Sequence, residues 1–478
     1  MFETNVYKKR REVLKSMMLD ASSEGLVIFV GNVDAPINYR GNDYKFRQDS
    51  NFLYYWGIDE PGFAASIDLN TGEEVLYAND VDMEDIIWMG PQPSVQSKAD
   101  RIGVAKSAPR GQFDEAVIAA KGQGRSIHFL PASRYYNTYE LVKLIGLSAD
   151  EVRSTAPVSN GLTKSASEAL VEAVIAMRIV KEDVEIQEID KACDLGYMMH
   201  TAARVGCKVG VKEQVIVGQM ESVAMSYGWG TSFTTILSQN GETLHNHSHG
   251  QIITPGRLLL VDAGVESNTH YASDFTRTYP SSGKFTDQQR EIYDIVHGCN
   301  DLATSIARPG MSYYDVQWKV LVNMLEGLKN LDIVRGDAEE MVAAGISGLF
   351  MPHGLGHNMG MDVHDMEDLG ELRVGYDKGQ TRHPLMGLGN LRMARNLCPG
   401  HVITNEPGIY FIPDLIKKWK SAGTDKGMVN YEKLEKYYDF GGIRLEDDIL
   451  ITADGARILG SQRLPISSKE VEERMAAE

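Results

Sequence analysis

Five stretches of this 478-residue chain carry side chains that could do chemistry. The densest is HGLGHNMGMDVHD, His353 to Asp365, in which Gly354, Gly356 and Gly360 and a few apolar residues stand between His353, His357 and His364. Glycines replace helix formers and no Glu follows the first His, so this is not the HExxH helix of the zincins. Glycine lets a backbone turn tightly and approach a ligand closely, so the stretch reads as an irregular segment fanning its histidines around one cavity. The other four stretches hold acids in apolar surroundings. Asp262 ends the run LLLVDAG, Asp274 stands in YASDFTRTYP, and Glu406 precedes Pro407 in VITNEPGIYF. Arg444 and Glu446 stand two apart in GGIRLEDDILIT.

A buried carboxylate is costly unless it is paired or bound to a cation. Any one of these acids could be a strand end facing water, but four inside apolar strand contexts are hard to expose together. One imidazole with four carboxylates makes a hard, oxygen-rich set that favours manganese, with cobalt, iron or zinc possible. Four carboxylates also balance the charge of two divalent ions, which suits hydrolysis by a hydroxide bridging two metals.

These residues need elements to position them. LLLVDAG and YASDFTRTYP read as an antiparallel hairpin across which Asp262 and Asp274 could meet. The pleat of GGIRLEDDILIT sends Arg444 and Glu446 to one face. With SFTTILSQ and HVITNEPGIYF as further strands and DQQREIYDIVHGCNDLATSIARPG as a helix, residues 161–478 form an α+β catalytic domain. Before it, GLVIFVG, FLYYWGIDEPGFAASID, EEVLYAND and RSIHFLP supply β-rich runs between helical ones, an α/β domain over residues 1–160. STAPVSNGLTKSAS reads as the linker, and two long amphipathic helices are expected to follow it, with the boundary near residue 160.

Composition narrows the partners. The chain is 43% hydrophobic and carries a net charge of −18, from 48 basic and 66 acidic residues. That balance argues against a nucleic-acid or membrane-surface partner and for a small molecule. No apolar run has the length of a secretory signal or a membrane span. Cys193, Cys207, Cys299 and Cys398 show no CxxC spacing, which fits a reducing cytoplasm.

The succession VDAG, SDFTRT, HGLGHNMGMDVHD, TNEPGIYF and GIRLEDD resembles the metal-dependent Xaa-Pro peptidases, prolidase and aminopeptidase P. Their catalytic domain has the pita-bread fold shared with creatinase and methionine aminopeptidase. FRQDSNFLYYWGIDEPG is similar to their amino-terminal domain, so the resemblance runs through nearly the whole chain. It implies that Asp262, Asp274, His357, Glu406 and Glu446 bind two divalent ions, with Asp274 and Glu446 bridging both. It implies that His353 and His364 contact substrate and stabilise the tetrahedral intermediate while Glu406 shuttles the proton. His245 in GETLHNHSH and Arg444 are expected to bind substrate, whereas His247 and His249 are expected in a solvated loop.

Arg392 in GNLRMARNLCPG stands where prolidases carry an arginine that holds the substrate carboxylate, a planar partner suited to a guanidinium fork. A surface salt bridge is the plainer reading of the same residue. The insertion FIPDLIKKWKSAGTDKGMVNYEKLEKYYDF also resembles prolidase. The resemblance therefore implies a homodimeric Xaa-Pro dipeptidase that releases proline. An Xaa-Pro aminopeptidase acting on longer peptides is the alternative, and a non-enzymatic binding relative comes third. A creatinase-like amidinohydrolase is disfavoured, because creatinases need no metal. Two departures stand out: the Asp262 to Asp274 hairpin is one residue longer than usual, and ILSQNGETLH is a short loop with Phe233 where prolidases often carry Tyr.

Overall fold

The computed structural model describes residues 2–154, 159–160, 163–164 and 168–477. It divides into two compact units, Met1–Arg178 with Glu367–Gly370, and Ile179–Met366 with Glu371–Glu478. The expected linker lies largely outside the described residues. The helix Glu168–Ile179 beyond it is held to the first unit near its end. There Arg178 Nη1 donates to Asn51 Oδ1 at 2.6 Å, and Tyr54 Oη donates to the Met177 carbonyl at 3.3 Å.

The first unit is built on a mixed five-stranded sheet. Its strand Leu26–Val30 pairs antiparallel with Ala64–Asp68 and parallel with Ile127–His128. The run LVIFV is apolar at every position because nearly all of it is buried, as expected of a strand covered on both faces. FLYYWGIDEPGFAASID is only half strand. Ser50–Trp56 is a helix, capped by the Asp49 side chain on the Phe52 amide and stopped by Gly57 at φ 60°. Local capping and a left-handed stop outweigh the β preference of the aromatic residues.

The second unit has the expected α+β character. The two helices expected after residue 160 are Glu168–Ile179 and, within this unit, Asp183–Gly206. Asp287–Ile306 opens with a capping box between Thr286 and Gln289. It buries Ile292, Val296, Cys299 and Ala303, spaced by three and four, in an apolar core shared with the strands.

The hairpin exists: Leu258–Ala263 pairs with Phe275–Pro280, and every residue of both strands is buried. Asp262 faces Thr276 across the ladder, and Asp274 lies two residues earlier on that face, a diagonal neighbour rather than the direct partner. Of the strand expected from SFTTILSQ only Ile236–Ser238 forms, and a separate two-residue strand, Gly230–Thr231, lies just before it.

Two other expected strands are each broken, and the breaks face one another. HVITNEPGIYF splits into Val402–Asn405 and Gly408–Tyr410 around Glu406 and Pro407. GGIRLEDDILIT splits into Gly442–Arg444 and Asp447–Ile451 around Leu445 and Glu446. Pro407 has no N–H to give to a ladder, which explains the interruption. The antiparallel register runs on unchanged across the gap and sets Glu406 opposite Glu446.

Candidate metal centre and active site

Asp262, Asp274, His353, His357, His364, Glu406, Arg444 and Glu446 line one cavity of about 750 Å³ in the second unit. His245 and Arg392 line it too, so every candidate from the sequence meets there. Ligand atoms of Asp274, His357 and Glu446 lie within 4.8 Å of one another, and all three residues are buried. His357 Nε2 is 3.4 Å from Asp274 Oδ2 and 3.8 Å from Glu406 Oε1. Its Nδ1 lies 3.0 Å from the Asn358 carbonyl, which can only accept, so Nδ1 carries a proton and Nε2 is the ring atom turned toward the carboxylates.

The electrostatics ask for a cation. Burial, and then repulsion from neighbouring carboxylates, holds Asp274 and Glu446 well above the usual carboxylate range. Burial raises Glu406 in the same direction, partly offset by His357 and Arg444. Asp262 Oδ1 and Asp274 Oδ1 are buried with no hydrogen-bond partner, and such atoms in a native interior call for an explanation. An oxygen-rich donor set with one imidazole, two orphaned carboxylate oxygens and excess negative charge fits divalent metal.

The glycines of the histidine stretch serve packing rather than turning. None of Gly354, Gly356 and Gly360 has positive φ. Each instead lies where a Cβ would overlap a neighbour: the Leu391 backbone at Gly354, the Thr404 carbonyl at Gly356, and Asp365 at Gly360. This close approach brings His357 against the strand Val402–Asn405 that leads to Glu406, with the His357 amide donating to Thr404 Oγ1 at 3.1 Å. The rings of His357 and His364 stack, with centroids 3.8 Å apart and planes 12° from parallel.

Arg444 is drawn deep into this site. It donates from Nη2 to Asp262 Oδ2 at 2.5 Å, from Nε to Thr276 Oγ1 at 3.1 Å and from Nη1 to Tyr410 Oη at 2.7 Å. Tyr410 in turn lies 2.9 Å from His353 Nε2, and His353 Nδ1 lies 2.8 Å from the Gly354 carbonyl. The consistent proton order is Arg444 to Tyr410 to His353. Burial and the Arg444 charge push His353 down to about 3, so its ring is neutral at neutral pH.

Several residues here were not singled out from the sequence. Thr276 Oγ1 donates to Glu446 Oε2 at 2.7 Å, and Asp448 Oδ2 accepts the Asp274 amide at 2.9 Å. Asn300 Nδ2 donates to the carbonyls of Asn405 and Leu445, at 3.1 and 3.0 Å, immediately before the two opposed glutamates. Strand alternation would have found some of them, since Thr276 follows Asp274 by two and Tyr410 follows Glu406 by four. Nothing in the sequence pattern points to Asn300, which arrives from a helix.

Toward the rim, Glu371 pairs with Arg382 and lies 3.8 Å from Arg392 Nη1, so Arg392 is both a cavity wall and part of an ion-pair cluster. His245 and His247 are exposed, and both line the cavity, so His247 belongs to the mouth of the site. His249 lies 3.0 Å from the Leu237 carbonyl.

Comparison with known proteins agrees with this geometry. Residues 166–453 match the metallopeptidase family M24, and residues 7–128 match the aminopeptidase P amino-terminal domain. The chain belongs to metallopeptidase family M24, in its prolidase and aminopeptidase P branch with the pita-bread fold. It is 29% identical to human Xaa-Pro dipeptidase over 100% of this chain and 93% of that one. It is 30% identical to a probable Xaa-Pro aminopeptidase of Fusarium vanettenii, over 90% and 86% of the two chains. Escherichia coli aminopeptidase P, solved in complex with substrate, superposes with a TM-score of 0.78 at 27% identity, covering 100% of this chain and 99% of that one. The chain is thus a metal-dependent peptidase.

Among the described residues, no helix is long and apolar enough to cross a membrane. All four cysteines are free.

Proposed function

We propose that this peptidase is an Xaa-Pro dipeptidase, cleaving a two-residue substrate to release proline. Human Xaa-Pro dipeptidase matches along the full chain, and Arg392 lies in the wall of the same cavity as the carboxylate cluster. That placement of Arg392 is the observation that carries the dipeptidase reading. Asp262, Asp274, His357, Glu406 and Glu446 would hold two divalent ions. Manganese is the metal expected of so oxygen-rich a set. Bound there, the ions supply Lewis acidity and lower the pKa of a water molecule.

The chain's own residues do the rest. Glu406 accepts the proton released by the nucleophile and passes it to the leaving prolyl nitrogen. His364 and the neutral His353 position the scissile carbonyl and stabilise the charge that develops on its oxygen. Arg444 holds Asp262 and Tyr410 in place, and through Tyr410 orients His353 beside the substrate. His245 closes on the substrate at the mouth, and Arg392 receives the free carboxylate in its planar fork. The substrate amide is tertiary and ring-bearing, so a shaped cavity is needed where a general peptidase would fit it poorly.

A second reading has its own support, because structures of aminopeptidase P superpose along the whole chain. On that reading Arg392 stays with Glu371, and longer peptides enter. We take the enzyme to be a cytoplasmic homodimer, the first part fitting its free thiols and the second resting on the resemblance.

The deciding experiment loads metal-stripped protein with manganese and follows cleavage of Ala-Pro, Ala-Pro-Ala and amidated Ala-Pro. Fast cleavage of the free dipeptide alone is expected, with Arg392→Met raising its KM roughly tenfold or more, as loss of a charged hydrogen bond does. Preference for the tripeptide, or an Arg392→Met variant with unchanged KM, overturns the dipeptidase reading.

A further inference from the structure

The last residue of the histidine stretch has no part in the chemistry described above, yet it is among the most buried charges in the chain. Asp365 has no exposed surface and its Oδ2 lies 2.7 Å from Lys181 Nζ, which is itself 2% exposed. We propose that the buried ion pair Lys181–Asp365 is a positioning device that sets the ring of His364 against His357. The inference rests on the peptidase reading for its purpose, though not for its geometry.

Both ends of the pair are anchored. Lys181 stands at the break between the helices Glu168–Ile179 and Asp183–Gly206. Its amide donates to the Gly400 carbonyl at 2.8 Å, which pins it beside the strand Val402–Asn405. Asp365 closes the loop that carries the two histidines. Its amide donates to the Asn358 carbonyl at 3.0 Å, and its Oδ1 accepts the Asp362 amide at 3.3 Å. Joining residue 358 to residue 365 places their neighbours His357 and His364 side by side, as the stacked rings show. Gly360 leaves the space for the pair: a Cβ there would lie 2.5 Å from Asp365 Oδ2 and 2.8 Å from Lys181 Nζ.

Stability alone does not account for such a pair. Removing two charges from water costs about as much as their attraction returns, and an apolar pair of similar volume often holds a fold as well or better. An ion pair supplies what an apolar pair lacks, a directional contact at a set distance. Here that contact fixes the loop position next to His364, which lines the cavity.

The test is the double variant Lys181→Met/Asp365→Leu, which removes both charges and strands neither. Its melting temperature and bound metal are expected to match the wild type, while kcat on Ala-Pro falls roughly tenfold or more and KM changes less than about threefold. In a His364→Ala background the same double change is expected to cost almost nothing further, because contacts that act through one residue are not additive. Wild-type kcat in the double variant, or an equal loss in the His364→Ala background, overturns the proposal.

A readout without turnover keeps this separate from the peptidase reading. In protein labelled with 15N-histidine, the His364 ring signal, assigned by its loss in His364→Ala, should move or broaden when the pair is removed. If wild-type protein cleaves none of the peptides, the function fails while this measurement still decides the positioning. If the double variant does not fold, Lys181→Arg carries the test, since a guanidinium keeps the charge but changes the donor geometry. A shifted His364 signal supports the proposal, and an unmoved one overturns it.

Discussion

Glu406 stands where the interruption of one strand meets the interruption of another, facing Glu446 across an unbroken register. The two carboxylates are held there by Asn300, which donates to the carbonyl just before each. Replacing Glu406 by Gln keeps the shape and removes the proton acceptor. Turnover of Ala-Pro is expected to fall at least about a hundredfold, the scale of a lost general base, while part of the metal is retained. Steady-state kinetics alongside metal analysis checks this, and near-normal turnover would sink the role given to Glu406. The type of each such residue was legible in the sequence. Its partners were less so: Arg444, expected against substrate, also spends donors on Asp262, Thr276 and Tyr410.

At the scale of elements, the site is made where regular structure stops. The histidine stretch is neither helix nor strand at His353 and His357, and both glutamates sit in strand breaks. The irregular segment was readable from its glycines, but their function differed from the simplest expectation. They give room for close approach, and Gly356 is the one of the three that faces the strand Val402–Asn405 leading to Glu406. A methyl group there would push the segment off the Thr404 carbonyl. Gly356→Ala is expected to destabilise by about 1–3 kcal/mol through overpacking and to weaken metal binding. Urea unfolding and a metal titration measure the two effects, and a variant with wild-type values in both would show that the segment can shift freely.

At the scale of the whole molecule, buried neutral histidines tie stability to pH. His200 has no exposed surface, lies 2.9 Å from the Ala263 carbonyl through Nε2, and has a buried Nδ1 with no partner. Burial pushes it down to about 4, and His401 is likewise pushed down to about 4. An unfolded histidine takes its proton near pH 6.5, so between there and pH 4 the unfolded chain binds more protons than the folded one. Stability from His200 is therefore complete above that upper limit and is lost as pH falls, by roughly 3 kcal/mol in all. Denaturation midpoints across this range should fall on acidification and fall less in His200→Gln. Parallel curves for the two proteins would contradict the assignment.

The sequence by itself pointed to the class of chemistry, a metal-dependent peptidase. Acids placed in apolar runs have few solutions other than a cation, and glycines between histidines disfavour a helix, so a candidate metal site and an irregular loop follow from residue type and spacing, while the particular ligand set is what the family resemblance implies. It also determined most elements, because caps and apolar periodicity act over a few residues, as at Thr286 and Gln289. Only the tertiary structure decided which groups hold the candidate ligands still. Asn300 and Lys181 reach the site from distant segments, and Tyr410 and Asp448, though near the glutamates in sequence, meet His353 and Asp274 only across the fold; no local pattern encodes a contact whose geometry is set by how whole strands and helices pack. The breaks at Glu406 and Glu446 belong to the same class: Pro407 marks one from the sequence, but that the two lie opposite each other is a property of the register.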